Sequence, residues 1–228
     1  MEEQPTGRRE AGKRARRAAL TAAAHRLFAE RGYEATTVHD IAAAAGLTER
    51  TFYRYFDGKE GLLAEEYQTW LGTLGQAIRD RPANEPPLTA VHKAVLAVGA
   101  PARGGRSGPQ GTPVPVWLFQ SRPFAGLRQI APRPLLRLES AVADAILARL
   151  QAAALDGSPA AATGGAQPGP ELVFQAEVIA RVAVAGLRSA VIRYRQLLRE
   201  LESSPPSVKQ LLSQAFAIIS EQHDQPGA

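Results

Sequence analysis

The side chains best suited to chemistry in this 228-residue chain lie in one short segment, TERTFYRY, which runs from Thr48 to Tyr55. The segment combines threonine hydroxyls, arginine guanidinium groups and tyrosine phenols. Such groups bind nucleic acid, because hydroxyls and cations contact phosphate oxygens and an arginine can form a bidentate contact with guanine. Arg50 is the best candidate for that contact, which contributes about 1–3 kcal/mol of discrimination between bases.

Two short helices are predicted to position these side chains. Thr37 is predicted to cap the first helix and Thr48 the second, and Gly46 lies in the turn between them. Phe52 and Phe56 share one side of the second helix, away from the polar groups. Two short helices joined by a tight, glycine-containing turn are typical of a helix-turn-helix, whose second helix enters the major groove of DNA. The predicted core of this unit contains Ile41, Leu47, Phe52 and Phe56.

Helical spacing of apolar residues predicts further helices on both sides of this pair, and no segment has the alternating pattern of a β-strand. The sequence therefore predicts an all-α fold. The predicted additional spans are Arg16 to Arg31, Lys59 to near Pro82, Leu88 to Val98, Val116 to Gln129, Arg133 to Leu150, Glu171 to about Leu201, and Ser207 to about Gln222.

The composition is that of an ordinary globular protein, with 45% hydrophobic and 21% charged residues. The chain has no cysteine, which excludes disulfides and thiolate metal sites. Its amino terminus is polar and no apolar run is long enough to span a bilayer, so a cytoplasmic protein is predicted. The histidines are scattered and no serine lies in a G-x-S-x-G motif, so we predict no enzyme, no metal site and no cofactor.

Positive charge is concentrated near the amino terminus. The chain has a net charge of +5 and a pI near 9.9, and residues 8–17 contain six Lys or Arg against one Glu. Residues 1–17 are predicted to form a flexible basic arm. The arm fits either a solvated tail or a phosphate-binding element, in which Arg14 and Arg17 would contact DNA.

The segment AAHRLFAERGYEATTVHDIAAAAGLTERTFYRYFDGKEGLL, residues 23–63, resembles the amino-terminal DNA-binding domain of the TetR family of transcriptional regulators. The likeness rests on the LF and GY of the first helix, on TTV..IA..AG, on the threonine-capped TFYRYF and on the lysine that opens the fourth helix. It implies a three-helix helix-turn-helix domain over 18–63. A helical effector-binding and dimerisation domain is then expected over 64–228, where the chain matches the family only in helix count and order.

The resemblance also implies which residues contact DNA. Tyr53 and Lys59 match positions that clamp phosphates. Glu49 either accepts from a cytosine amino group or complements the helix dipole, and His39 either contacts DNA or is an ordinary exposed histidine. The predicted DNA-binding residues are Arg14, Arg17, Thr37, His39, Thr48, Glu49, Arg50, Thr51, Tyr53, Tyr55 and Lys59.

The last two predicted helices carry apolar faces suited to dimerisation, since two such helices from each chain would form a four-helix bundle about a two-fold axis. An intramolecular core is the alternative use of the same faces. The predicted dimerisation residues are Ala183, Gly186, Ala190, Val208, Leu211, Leu212, Ala215, Phe216 and Ile219.

A ligand pocket is expected among the middle helices, although each candidate lining residue is also a plausible core residue. Its aromatic character predicts a largely apolar effector. The predicted ligand-binding residues are Tyr67, Trp70, Leu74, His92, Trp117, Phe119, Gln120, Phe124, Phe174 and Val178.

Together these observations predict a TetR-like regulator, a homodimeric repressor that is released from a palindromic operator on double-stranded DNA by a small effector. The alternative is a helical ligand-binding or scaffolding protein that has lost specific DNA binding.

Overall fold

The computed structural model describes residues 5–98, 134–156, 168–200 and 206–223, and every regular element in these ranges is an α-helix. The all-α prediction is confirmed for them, while the predicted helix over 116–129 lies outside them. The helices are α1 (Pro5–Arg31), α2 (Val38–Ala44), α3 (Glu49–Tyr53), α4 (Gly58–Arg79), α5 (Pro87–Val98), α6 (Pro134–Asp156), α7 (Pro170–Arg199) and α8 (Val208–His223).

The chain divides into two compact units, and the boundary follows Tyr67 rather than the predicted residue 63. The described part of the first unit is 5–67, so α4 begins in this unit and ends in the second. Side chains from all four of its helices form the core of the first unit. The buried residues include Leu20, Phe28, Ile41, Phe52, Phe56 and Leu62.

Local sequence signals fix the ends of α2 and α3. The Thr37 hydroxyl accepts a hydrogen bond from the backbone N–H of Asp40, whose carboxylate accepts in return from the Thr37 N–H, which completes a capping box. The Thr48 hydroxyl accepts from the N–H of Thr51 at 3.2 Å. Gly46 adopts a φ of 68°, which favours glycine, and the turn ends at Leu47, a residue only partly buried. The second helix is shorter than predicted, because it ends at Tyr53 and a turn follows.

The amino-terminal helix corrects one prediction. Residues 5–17 belong to α1 and continue the same helix that Leu20 anchors in the core, so this stretch is helical rather than flexible. Alanine and arginine, which dominate it, have the high helix propensity that the basic charge run concealed.

In the second unit α5, α7 and α8 pack around a shared core, and this core contains most of the predicted dimerisation residues. A Cβ added to Gly186 of α7 would lie 2.7 Å from Ile219 Cδ1 of α8, so the missing side chain permits close approach of two helices of one chain. The buried members of the predicted dimerisation set pack against other residues of the same chain, so they are not available to a second chain. For these residues the prediction is wrong. The buried members are Ala183, Gly186, Ala190, Val208, Leu211, Leu212 and Phe216, while Ala215 and Ile219 are partly buried.

A buried arginine fixes the connection between α4 and α5. The guanidinium of Arg149, on α6, donates to the carbonyl oxygens of Arg81, Pro82 and Glu85, the last two at 2.8 and 2.9 Å. The Glu85 carboxylate accepts two hydrogen bonds from Arg81, which lower its pKa to about 2. Arg149 thus supplies donors to backbone carbonyls of the connection between α4 and α5, which lies outside both helices.

Candidate nucleic-acid interface

The outer surface of α3 presents the polar groups that the sequence predicts. Tyr53 is 57% exposed and Arg50 is also exposed, whereas Phe52 on the opposite side is 0% exposed. Within the part of the chain that the structure describes, Arg50 forms no hydrogen bond or ion pair with another side chain. Its guanidinium is therefore available to an external acceptor.

A side-chain bridge ties α2 to α3 at the same surface. His39 Nδ1 lies 2.8 Å from Glu49 Oε1, and both side chains are exposed. The contact accounts for Glu49 without invoking DNA, since the carboxylate both faces His39 and lies in the first turn of α3, where negative charge is favourable. Both residues still lie on the recognition surface, and their DNA contacts remain a prediction.

The threonines of this surface also stabilise the ends of helices. Thr37 and Thr48 both serve as N-caps, and the Thr48 and Thr51 hydroxyls lie 3.0 Å apart. Hydrogen bonds from Thr37 hold the pKa of Asp40 below its ordinary value. A phosphate oxygen accepts hydrogen bonds, so it would need the hydroxyl proton, which Thr37 donates to Asp40 Oδ2 at 2.7 Å in this structure.

Lys59 has a role that sequence reasoning missed. Its ammonium donates to the backbone carbonyls of Tyr33 and Thr36 at 2.8 and 3.0 Å and lies 4.2 Å from the centroid of the Tyr33 ring. Lys59, which was predicted to bind a phosphate, therefore chiefly connects α4 to the loop that follows α1. The Tyr33 hydroxyl donates to Glu60 at 2.5 Å, and burial, with this bond, raises the Tyr33 pKa.

Sequence reasoning predicted the amino-terminal cations but not their position beside the turn that follows α3. Arg54 donates to the Tyr55 hydroxyl at 3.4 Å, and Arg16 of α1 reaches the same hydroxyl. Arg17, a predicted DNA contact, pairs with Glu65 and lies over the Phe56 ring. These contacts place the amino-terminal cations next to the recognition surface, which linear spacing could not reveal.

The predicted ligand-binding residues that the structure describes do not all line one enclosed pocket. His92 stacks on Phe216 and lies 3.2 Å from the Ser213 hydroxyl, and burial lowers its pKa. Phe174 is 64% exposed and Val178 is 41% exposed, so neither lines an enclosed pocket in the described chain and both predictions are corrected. Tyr67 and Leu74 are buried and Trp70 is partly buried, while Trp117, Phe119, Gln120 and Phe124 lie outside the described residues.

The second unit contains an open groove of about 590 Å³ between α4 and α6. Gly72 and Gly75 supply the space on α4, and the Arg79 guanidinium folds back over Gly75. Its remaining walls combine leucines with charged and polar groups. They are Gln68, Leu71, Arg79, Leu136, Arg137, Ser140, Ala141 and Asp144.

The described residues offer neither a metal-ligand cluster nor a membrane-spanning helix. No group of three or more histidines or carboxylates among them could hold a metal ion. None of the described helices combines the length and apolar character needed to cross a membrane.

The first unit is thus a helix-turn-helix domain with a polar, cationic recognition surface, and comparison with known proteins agrees with that class. The family model described as "Bacterial regulatory proteins, tetR family" matches residues 20–65. Residues 20–65 are thus similar to the TetR-type DNA-binding domain, as the resemblance in the sequence implies.

The similar proteins are regulators by name. The HTH-type transcriptional repressor KstR2 of Rhodococcus jostii (strain RHA1) is 48% identical over 63 residues, which cover 28% of this chain and 31% of that protein. The matched stretch spans about a third of the length of such curated relatives.

Similarity to solved structures extends over nearly the whole chain. The fatty acid degradation regulator FadR from Bacillus halodurans has a TM-score of 0.54 at 15% identity, over 96% of each chain. Thermus thermophilus FadR, solved in complex with lauroyl-CoA, has a TM-score of 0.52 at 20% identity, over 93% of this chain and 97% of that one. At these identities the likeness concerns the fold.

Proposed function

We propose that this protein is a DNA-binding transcriptional regulator that represses transcription from a palindromic operator and leaves it when a small molecule binds. The observation that carries the proposal is the exposed surface of α3, where Arg50 and Tyr53 project from a helix whose other side is buried in the core. A regulator of this kind acts in the cytoplasm on double-stranded DNA, as a homodimer whose symmetry matches the two half-sites.

Selection from a random duplex pool tests the DNA-binding part of this proposal. At about 150 mM salt, where phosphate contacts are weakened, the full chain should enrich a palindromic sequence. Arg50→Ala should lower the affinity for that duplex by about 1–3 kcal/mol and relax the preference at one base pair of each half-site.

Arg26→Ala is the control, because Arg26 is an exposed arginine on α1 whose ion pair with Glu30 is long, at 3.9 Å. It should leave the selected sequence and its affinity unchanged. Failure of the wild-type chain to enrich any sequence would favour the scaffolding alternative.

The dimer surface we propose is an exposed apolar stripe in the second unit. Phe174 and Val178 are adjacent on one side of α7, Ile192 lies on the same side beyond the exposed Arg181 and Arg188, and Ile218 is exposed on α8. Large apolar side chains exposed together are a feature of protein interfaces. Two copies of this stripe about a two-fold axis would form the four-helix bundle without using the intramolecular core.

The groove between α4 and α6 is our proposed effector site. Because α4 continues without a break from the helix-turn-helix unit into the groove, a ligand that moved α4 would change the spacing of the two recognition helices. The groove contains Arg79 and Arg137 beside Leu71 and Leu136, so it suits an organic anion with an apolar body better than a wholly apolar effector.

Straight-chain carboxylates and the matching alcohols distinguish these ligand chemistries. The carboxylates should bind about tenfold more tightly by calorimetry, since a hydrogen bond to a charged group contributes about 1.5–3 kcal/mol. Arg79→Gln should remove the preference, whereas Arg188→Gln, a change of an exposed arginine on α7, should preserve it. Equal binding of acids and alcohols by the wild-type chain would contradict an anionic effector.

A further inference from the structure

The first half of α1 is a helix without a core. Leu20 is the first buried residue of α1 among those whose exposure is described, and from Arg9 to Ala19 every residue is exposed except Gly12, which is partly buried. Most helices in proteins depend on tertiary packing of an apolar face, and a helix that is polar all round lacks that stabilisation. This segment therefore requires another source of stabilisation.

The charges of the first half of α1 destabilise the helix further. Arg9, Lys13, Arg16 and Arg17, here called the basic face, fall within one side of α1 at spacings of three, four and seven residues. Like charges at i and i+4 destabilise an isolated helix. The first turn contains no acidic residue to offset the positive helix end. Within the described chain, Arg9 and Lys13 form no ion pair or hydrogen bond through their side chains.

The inner end of the basic face adjoins the recognition surface. Arg17 lies 5.4 Å from the centroid of the Phe56 ring and pairs with Glu65, and Arg16 reaches Tyr55. Phe56 and Tyr55 belong to the turn that follows α3. From this anchor, Arg9 stands about 10 Å farther along the helix than Arg16, at about 1.5 Å per residue.

We propose that the basic face is a second DNA-contacting surface, which binds backbone phosphates of the duplex flanking each half-site. The inference rests on the proposed function and adds a contact outside the helix-turn-helix. Phosphates would neutralise the like charges of the basic face and would bind Arg9 and Lys13, which no carboxylate engages among the described residues. A phosphate contact carries no base information, so the basic face would add affinity without changing the preferred sequence.

The test compares two duplexes and two matched variants. One duplex is the minimal palindrome recovered by selection, and the other has about 10 bp, one helical turn, added on each side. Arg9→Gln/Lys13→Gln removes two charges from the basic face, and Arg26→Gln/Lys209→Gln removes two exposed charges elsewhere. All of these side chains are exposed, so circular dichroism should show unchanged folding.

The wild-type chain and the Arg26/Lys209 control should both gain affinity from the flanks, and the Arg9/Lys13 variant should not. The variant should also reduce the slope of log affinity against log salt by about 0.9 for each phosphate that it no longer neutralises, or about 1.8 per protomer. Its ratio of specific to non-specific affinity should be unchanged.

Three results would overturn the inference. One is an Arg9/Lys13 variant that keeps the flank effect and the salt slope of the wild-type chain. Another is a control whose affinity falls as much, since net charge alone would then be responsible. The third is wild-type binding to phosphatidylglycerol vesicles with no flank effect, which would assign the face to a membrane surface. Absence of any enriched duplex would instead contradict the proposed function, and the salt slope on random duplex would still test the face.

Discussion

Phe52→Ala is expected to destabilise the helix-turn-helix unit by about 3–5 kcal/mol, the range measured for truncation of a buried phenylalanine. Phe52 is 0% exposed, and its ring centroid lies 5.4 Å from that of Phe56. Truncation removes the side chain through which α3 packs on the rest of the unit. Since whole domains are stable by only about 5–15 kcal/mol, the loss should leave α2 and α3 unprotected in hydrogen exchange.

Tyr53→Ala provides the matched control, because the adjacent ring is mostly solvated. It should change the free energy of unfolding by no more than about 0.5 kcal/mol, as surface substitutions generally do, while weakening binding to the selected duplex. The two variants therefore separate folding from recognition within one five-residue helix. Comparable destabilisation by both changes would show that Tyr53 is not a surface residue and that the recognition face is misassigned.

Val178→Arg is expected to convert the proposed dimer into monomers at micromolar concentration. Val178 is exposed within the stripe formed by Phe174, Val178 and Ile192, and a two-fold axis through the stripe brings both copies of a residue near each other. Arginine there would place two like charges in an apolar interface, which is costly because neither has a partner. Light scattering should report the mass of one 24.4 kDa chain, and binding to the palindrome should fall with the dimer.

Gln175→Arg is the control for this change. Gln175 is exposed on α7, about 100° around the helix from Phe174 and about 60° from Val178, so the same side chain is introduced at the edge of the stripe rather than within it. The dimer mass should be preserved. If Val178→Arg stayed dimeric, the interface would lie on another surface of the second unit. If Val178→Arg were monomeric and also unfolded by circular dichroism, Phe174→Ser would replace it as the test.

The predictions that succeeded from sequence concern short-range chemistry. Thr37 and Thr48 cap helices through atoms of residues three positions away, and Gly46 takes a backbone angle that its own lack of a side chain permits. Phe52 and Phe56 are both buried, as their spacing of four residues predicts, although α3 ends at Tyr53 and Phe56 lies beyond it. A pattern of this kind fixes the helix-turn-helix before any long-range contact is known, and its spacing was sufficient to identify the resemblance to the TetR-type DNA-binding domain.

The predictions that failed depend on which surfaces meet. Helix α7 has apolar residues on two sides, and periodicity cannot decide which side meets α8 of the same chain. Only the packing of Gly186 against Ile219 assigns that side to the interior and leaves Phe174 and Val178 outside. The sequence also could not indicate that Lys59 binds carbonyls of Tyr33 and Thr36, because backbone acceptors carry no residue signature.

The amino-terminal segment was predicted correctly in its chemistry but not in its structure. Its charges were evident from composition, and so was their capacity to bind phosphates. The tertiary structure decided that they lie along one helix anchored beside Tyr55 and Phe56. The chemistry of the DNA-binding unit can therefore be read from the sequence, because side-chain type and local spacing carry it. Which apolar faces form the core, and which cations remain for a partner, follows from tertiary packing, because burial depends on residues far apart in the chain.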